Sequence, residues 1–558
     1  MTGSSVLTRR PRSHPAAPVV PPGPSCDCVA DAVELLAAVT AGRWGTISPS
    51  IYETGRVVAD APWLPGHRSR VGFLLDQQRP DGGWGGPDTY ALVPTLSATH
   101  ALLGSLLREH PRLPAPLRER AAVAVDRGLA FLAPQLKAVR VASLPDTPAI
   151  EVIIPFLVGL LQAQLVQLRT ADIAGLDGWR AARLVLPRGL NRTILDGVAA
   201  LLAAGQPAPL KVLHSLEVAV PGATGARGVP RLALGTVGAS PAATAAWLGP
   251  EPVRGPERTL RYLRSVISAH GGPVPSVTPI INFERAWVVD SLALGGVPLA
   301  PPRRLAEQLA AALGTSGISG GAGLPPDADT TSATLAALRH LGVEARDGVL
   351  RRYDQETHFC TWPGERTASP TTNAHVLSSF ATAGGRRSAW RESAAQRTAT
   401  WLCGTQGRDG FWSDKWHASP FYATACVVAA LRDAGVDEHR GARQAADRAV
   451  ESVLASQHRD GSWGRWAGTA EETAYALQIL LYRHQPDRRV RSAATRGHRF
   501  LLKAQDLAPV PLWHDKDLYV PGHVVRAAVV GARHLAETTL GPSARPAASV
   551  PRPRRVGA

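Results

Sequence analysis

The chain has 558 residues, enough for two or more domains with substantial cores. Lysine and arginine number 61 against 45 aspartates and glutamates, a formal net charge of +16. That excess raises nucleic acid or acidic lipid as partners, but no zinc-finger spacing or basic helix is evident to support either. Arginine-rich coding bias with an anionic substrate is the preferred account, and no nucleic-acid partner is expected.

In chain order, the proline-rich stretch 1–25 reads as a disordered tail with no hydrophobic signal core. "CVADAVELLAAVTAG" then opens a series of helical patterns that includes "SATLAALRHLG", "ATACVVAALRDAG" and "ETAYALQILLYRH". Each has apolar residues at i, i+3, i+4 spacing and ends near glycine or a basic residue. Long alternating strand patterns are absent, so the expected fold class is all-α. The longest apolar run, "VIIPFLVGLL", contains proline and falls short of the roughly 18–20 residues of a bilayer span. It reads as a buried helix, and no integral membrane association is expected. Five cysteines (26, 28, 360, 403 and 426) make no disulfide framework, which fits a reducing cytoplasm. Residues 541–558 read as a second tail.

A repeat runs through these helices. "QRPDGGWG" begins at Gln78, "QGRDGFW" at Gln406 and "QHRDGSWG" at Gln457, each of the form Gln-x-x-Asp-Gly-x-Trp between two helical patterns. A degraded fourth copy, "FLLKAQDLAPVPLW", spans 500–513. Asp-Gly supplies a turn, tryptophan covers a helix junction, and glutamine can bond backbone groups at helix ends. Such a unit clamps stacked helical hairpins and carries no chemistry itself.

Residues 324–334, "LPPDADTTSAT", place Asp327 and Asp329 one residue apart at the start of a helix. Two neighbouring carboxyls resist ionising together, and burial disfavours the charged form, so one can stay protonated. Taken alone, the pair is also what caps and charges a helix N-terminus. Together with the repeats and an ordered set of further motifs, the chain resembles the class II terpene cyclases. That group contains copalyl-type diphosphate synthases and, more remotely, squalene–hopene cyclases. The motifs include "SPSIYETGR", "EVIIP", "VGASPAATAAWLG", "FERAWVVDSL", "DADTT", "TTNAHVL", "DKWHASPFYAT", "GTAEETAYAL" and "LWHDKDLYVP", and the resemblance extends from about residue 30 to 535.

The resemblance implies two double-layered (α/α) barrel domains in a βγ architecture. Residues 26–45 would be the first helix of the β domain, 46–272 an inserted γ domain, and 273–540 the rest of β. It implies that Asp329 is the general acid, supported by Asp327. Thr330 stands where many relatives carry a third aspartate, and its hydroxyl can still donate a hydrogen bond. Asn373 and His375 fall where relatives place polar partners of the acid. Trp287, Trp362, Trp416, Tyr422 and Tyr475 are pocket candidates whose ring faces can stabilise carbocations. Lys415, His417, Lys516 and Arg526 lie in motifs that would hold a diphosphate. Glu151 matches a γ-domain acid associated with Mg²⁺, although the acidic run that accompanies it in plant relatives is thinned here to Asp146.

No Asp-Asp-x-x-Asp or Asn-Asp-x-x-Ser-x-x-x-Glu motif is present to ionise an allylic diphosphate, so the product should keep its diphosphate. The expected reaction is protonation-initiated cyclisation of a linear prenyl diphosphate. The Asp-x-Asp-Thr-Thr form tilts the expectation toward farnesyl diphosphate and a drimenyl-type product. Geranylgeranyl diphosphate, giving a copalyl- or labdane-type diphosphate, is the alternative. Behind both stand a squalene–hopene-type triterpene cyclase and a non-catalytic prenyl-binding toroid.

Overall fold

The computed structural model describes residues 27–541 except 231–233, 252–255, 300–301, 383–387, 436–439, 483–485 and 505–506. The expected tails, Gly541 apart, and Gln505 and Asp506 of the fourth repeat copy lie outside the described residues. Among the described residues are twenty α-helices and one hairpin, Trp513–His514 against Leu518–Tyr519. The protein is all-α, as its periodicity indicates.

Six helices close a ring: Ile281–Leu294, Ala328–His340, Pro370–Ala381, Pro420–Asp433, Ala470–Leu481 and Gly522–Leu540. Each packs on the next and the last on the first. Around them lie Arg303–Ala312, the 3-10 segment Asp347–Tyr353, Ala389–Gly404, Arg440–Ala455 and Arg488–Lys503. The sixth outer place is taken by Asp27–Ala41, which packs on Gly522–Leu540, Ile281–Leu294 and Arg303–Ala312. Its Leu35, Leu36 and Val39 share one core with side chains from Val277 to Ala536.

A second ring is formed by Ile51–Asp60, Leu92–Leu107, Ile150–Gln167, the 3-10 segment Leu216–Ala219 and Pro241–Leu248. Its main core gathers side chains from Tyr52 to Val218. Two segments here, Asp88–Leu107 and Ile150–Gln167, are apolar and long enough to cross a bilayer by length and composition, which the sequence reading did not anticipate. Their apolar windows are 83% and 61% buried inside the protein, as inner-layer helices apolar on all sides should be. Unanticipated too was a strongly basic helix, Arg488–Lys503. It lies in the outer layer and turns Val490, Ala494 and Leu501 inward.

Several inner helices begin at side-chain caps. Ser240, Ser369 and Ser419 are N-caps followed by proline at the first helical position, a residue whose fixed φ suits that place. Asp327 and Thr469 cap two others. Hydrogen bonds join the starts of neighbouring inner helices: Ala328 N–H to Thr361 O, Ser369 Oγ to Asp414, and Ala418 N–H to Leu512 O. One end of the C-terminal barrel is therefore a rim of helix N-termini.

The repeat is one hydrogen-bonded clamp used three times. Gln78, Gln406 and Gln457 each donate to the glycine carbonyl four residues on (Gly82, Gly410, Gly461). Each also donates to a carbonyl inside another helix: Ala124, Ala445 or Ala493. Trp84, Trp412 and Trp463 send their indole N–H to Leu74, Leu402 and Val453, and their backbone N–H to Thr95, Thr424 and Thr473. Those glycines have φ of +90°, +84° and +94°, and an added Cβ would meet a carbonyl oxygen of the adjoining helix within 3 Å. Trp412 has no exposed surface. Trp412→Ala should lower stability by about 3–5 kcal/mol, measured by chemical denaturation.

Candidate active site

Asp327 and Asp329 have different surroundings although one residue separates them. Asp327 is the N-cap of Ala328–His340. Its Oδ1 accepts from the Thr330 N–H at 2.6 Å and its Oδ2 from the Thr330 hydroxyl at 2.9 Å. Thr330 thus serves Asp327, and the cap and the acidic pair are one arrangement. Burial of the carboxyl, then the adjacent Asp329 charge, push the pKa of Asp327 up to about 8. Asp329 lies in the first turn, and its Oδ1 is 2.7 Å from His375 Nδ1, both residues being buried. Burial opposes charging of His375, yet the Asp329 charge and hydrogen bond carry its pKa well above the usual histidine value.

Behind this pair is an aromatic box. Trp287 meets His375 edge-to-face at 5.0 Å between centroids and donates its indole N–H to Tyr422 Oη at 2.8 Å. Phe283 stacks tilted on Trp287 at 4.4 Å, and Trp513 contacts both Phe283 and Tyr422. Tyr475 and His417 close the far side around Tyr422. His417 accepts the Ser419 N–H at Nδ1, so Nε2 bears its proton and points at Glu471. Ring faces at these distances suit positive charge on carbon and exclude water.

At the rim, Lys415 donates to Glu365 at 2.6 Å and to Thr367 O, and lies over the faces of Trp362 and Trp416. Lys211 lies over Trp362 from the other barrel. A cleft of about 430 Å³ is lined by Lys211, Arg352, Tyr353 and Trp362, with Pro325 and Pro326 immediately before Asp327. Sequence reasoning missed Lys211 and Arg352, because nothing local separates them from the chain's other cations.

Four expected site residues are placed differently. Lys516 has no exposed side-chain surface and is paired with Glu53 and with Glu217 at 3.0 Å, while also donating to His214 O and Ser240 Oγ. A cation so neutralised between the barrels is not available to a diphosphate. Arg526 is held by Asp31 and Glu34 on the outside, joining Gly522–Leu540 to Asp27–Ala41. Asn373 bonds the Phe359 N–H and the carbonyls of Phe359 and Ser369, so it builds the helix start and does not reach Asp329. His417 belongs to the aromatic box rather than the cationic rim.

Glu151, in the first turn of Ile150–Gln167, pairs with Arg366 across the barrels at 2.5 Å. Among the described residues no cluster of three or more metal-ligating side chains forms. Glu151 offers a single hard oxygen ligand, too few for a protein-built Mg²⁺ cage but compatible with a metal shared with phosphate oxygens.

A buried acid above an aromatic-lined interior is equipment for protonating hydrocarbon, and comparison with known proteins agrees. The family model for the squalene-hopene cyclase C-terminal domain matches residues 366–523. An ent-copalyl diphosphate synthase from Streptomyces sp. (strain KO-3988) is 44% identical over 512 residues, covering 90% of this chain and 95% of its own. The labda-7,13-dienyl diphosphate synthase of Streptomyces clavuligerus is 40% identical, covering 91% and 93%. The solved structure of ent-copalyl diphosphate synthase from Streptomyces platensis superposes with a TM-score of 0.86 at 41% identity, covering 91% of this chain and 99% of that one. The chain belongs to the class II terpene cyclases, isomerase-type enzymes with a double α-barrel fold.

Lys516→Ala would strand Glu53 and Glu217 without their cation and should lower stability by about 3–5 kcal/mol, seen as an earlier unfolding midpoint. A selective rise in KM at unchanged stability would return Lys516 to diphosphate binding.

Proposed function

We propose that this cyclase converts geranylgeranyl diphosphate to a bicyclic, copalyl-type diphosphate and leaves the diphosphate intact. The observation that carries the acid-initiated step is the buried Asp329–His375 pair, with aromatic rings behind it. The initial tilt toward farnesyl diphosphate rested on Thr330. That hydroxyl hydrogen-bonds Asp327, a role that serves the acid pair for either chain length. Relatives named copalyl and labdadienyl diphosphate synthases, matched over nine-tenths of the chain, favour the C20 substrate.

Asp329 and His375 share one proton across their hydrogen bond, and with it the pair is net neutral. The Asp329 charge and hydrogen bond favour the imidazolium form of His375. When hydrocarbon fills the box, loss of solvation disfavours two buried charges, and the proton moves from Nδ1 to the carboxyl. Asp329 then delivers it to the terminal alkene. Neutral Asp327 keeps a second negative charge away from the acid, which would weaken it. The developing cation passes along Trp287, Tyr422 and Trp513. Lys211 and Arg352 at the rim would receive the diphosphate, beside Lys415, which is paired with Glu365. Mg²⁺, if it accompanies the diphosphate, would take Glu151 as its protein ligand and supply charge neutralisation.

Incubation with farnesyl and geranylgeranyl diphosphate separately, followed by dephosphorylation and mass spectrometry, tests the reading. A bicyclic C20 alcohol, reduced by at least about 10²–10⁴-fold in Asp329→Ala, is the expected result. A C15 product, or linear alcohols alone, would contradict it. Asp327 stays protonated below about 8, so kcat/KM should fall as pH rises through that value. Asp327→Asn, which cannot ionise, should lose that alkaline decline in the pH–rate profile.

A further inference from the structure

Every cyclisation begun by adding a proton and ended in an alkene must give a proton back. We propose that Glu471 is the base that takes it, an assignment that rests on the cyclase reading above. Glu471 sits in the first turn of Ala470–Leu481, with a side chain 3% exposed. Its Oε1 accepts from Trp513 Nε1 at 2.7 Å, Tyr475 Oη at 3.1 Å and His417 Nε2 at 3.3 Å. Its Oε2 is shut off from solvent and has no hydrogen-bond partner among the described residues.

That asymmetry is costly unless something else meets the second oxygen, because a buried polar atom left unpaired forfeits its hydration. An acceptor needed merely to orient Trp513, Tyr475 and His417 uses one oxygen, which a glutamine amide also supplies. A second oxygen that is buried and unpaired is stabilised by a cation brought beside it, and on this proposal the cyclising substrate supplies one. The interaction is made late in the reaction and not with the linear substrate, as transition-state stabilisation requires.

Other groups of the box are already engaged. His417 Nδ1 accepts from the Ser419 N–H and its Nε2 carries a proton, so neither nitrogen is a free acceptor. Tyr422 Oη accepts the Trp287 indole N–H. His375 is bound to Asp329. Glu471 is joined to the acid by a continuous run of contacts: Trp513 to Tyr422 at 4.7 Å between centroids, Tyr422 to Trp287, and Trp287 to His375. Acid and base thus lie along one lining, with no repeat tryptophan between them.

The step balances without a co-reactant. Oε2 takes a proton from a carbon beside the cationic centre, the C–H electron pair becomes the new C=C bond, and the charge on carbon is cancelled. Glu471 is left protonated and Asp329 deprotonated. Proton exchange with solvent after product leaves resets both.

Glu471→Gln keeps the volume and an amide oxygen for the three donors, and Glu471→Asp keeps a carboxylate drawn back by one methylene. Each would be incubated with geranylgeranyl diphosphate beside the unaltered enzyme, its fold checked by thermal unfolding. In Glu471→Gln the native alkene should be lost as main product, replaced by a water-captured bicyclic alcohol or an alkene isomer, with substrate still consumed. Glu471→Asp should restore part of the native alkene. An unchanged product distribution in Glu471→Gln, at whatever rate, would overturn the assignment and leave Glu471 a positioning residue. Failure of the unaltered enzyme to make any cyclic product would remove the cyclase reading, and this inference with it.

Discussion

A carboxyl in water gives its proton to water, so an enzyme that protonates an unactivated alkene must keep its acid dry. The Asp329–His375 contact meets that constraint, and much of the fold exists to maintain it. His375 reaches Asp329 from the neighbouring inner helix, and a closed ring of six helices holds the two at 2.7 Å. Burial that would discharge either group alone is offset by the other. Asp327 adds a neutral carboxyl, fixed by the same helix start that it caps.

The ring depends in turn on long-range closure. Its outer layer is completed by Asp27–Ala41, separated in sequence from its partners by the whole second barrel. The two barrels are held together at the hairpin after Leu512. Asp515 bonds His214, Lys516 lies between Glu53 and Glu217, and Asp517 accepts from Ser50 Oγ and the Tyr52 N–H. Three successive charged residues of one barrel are therefore answered by three sites on the other. Such pairing is directional where apolar contact is not, so it fixes the position of the rim that Lys211, Lys415 and Trp362 share.

Much of this was legible in the sequence because it is written locally. Gln-x-x-Asp-Gly-x-Trp marks a clamp whose bonds recur at fixed offsets, and Asp-x-Asp before an alanine-rich helix marks a cap and an acid together. The charged residues of the hairpin were not legible. Lys516 and Arg526 look the same in sequence whether they face a phosphate or a buried carboxylate, and their partners Glu53, Glu217, Asp31 and Glu34 are hundreds of residues away. Asn373 misled for a similar reason: its neighbours in the fold are the Phe359 and Ser369 backbones, whereas His375, two residues on, is the one that meets Asp329. Glu471 lies in the motif "GTAEETAYAL", but nothing there separates it from Glu472; its meaning lies in Trp513, Tyr475 and His417 converging on one of its oxygens.

The central claim is that a protein carboxyl starts the reaction by handing a solvent-exchangeable proton to the terminal alkene. Running the cyclisation of geranylgeranyl diphosphate in heavy water and locating the label by NMR and mass spectrometry tests it directly. The account predicts one deuterium per product, on the ring methylene beside the gem-dimethyl carbon, with the diphosphate still attached. A cyclic product without deuterium there, or one formed with release of diphosphate, would contradict it.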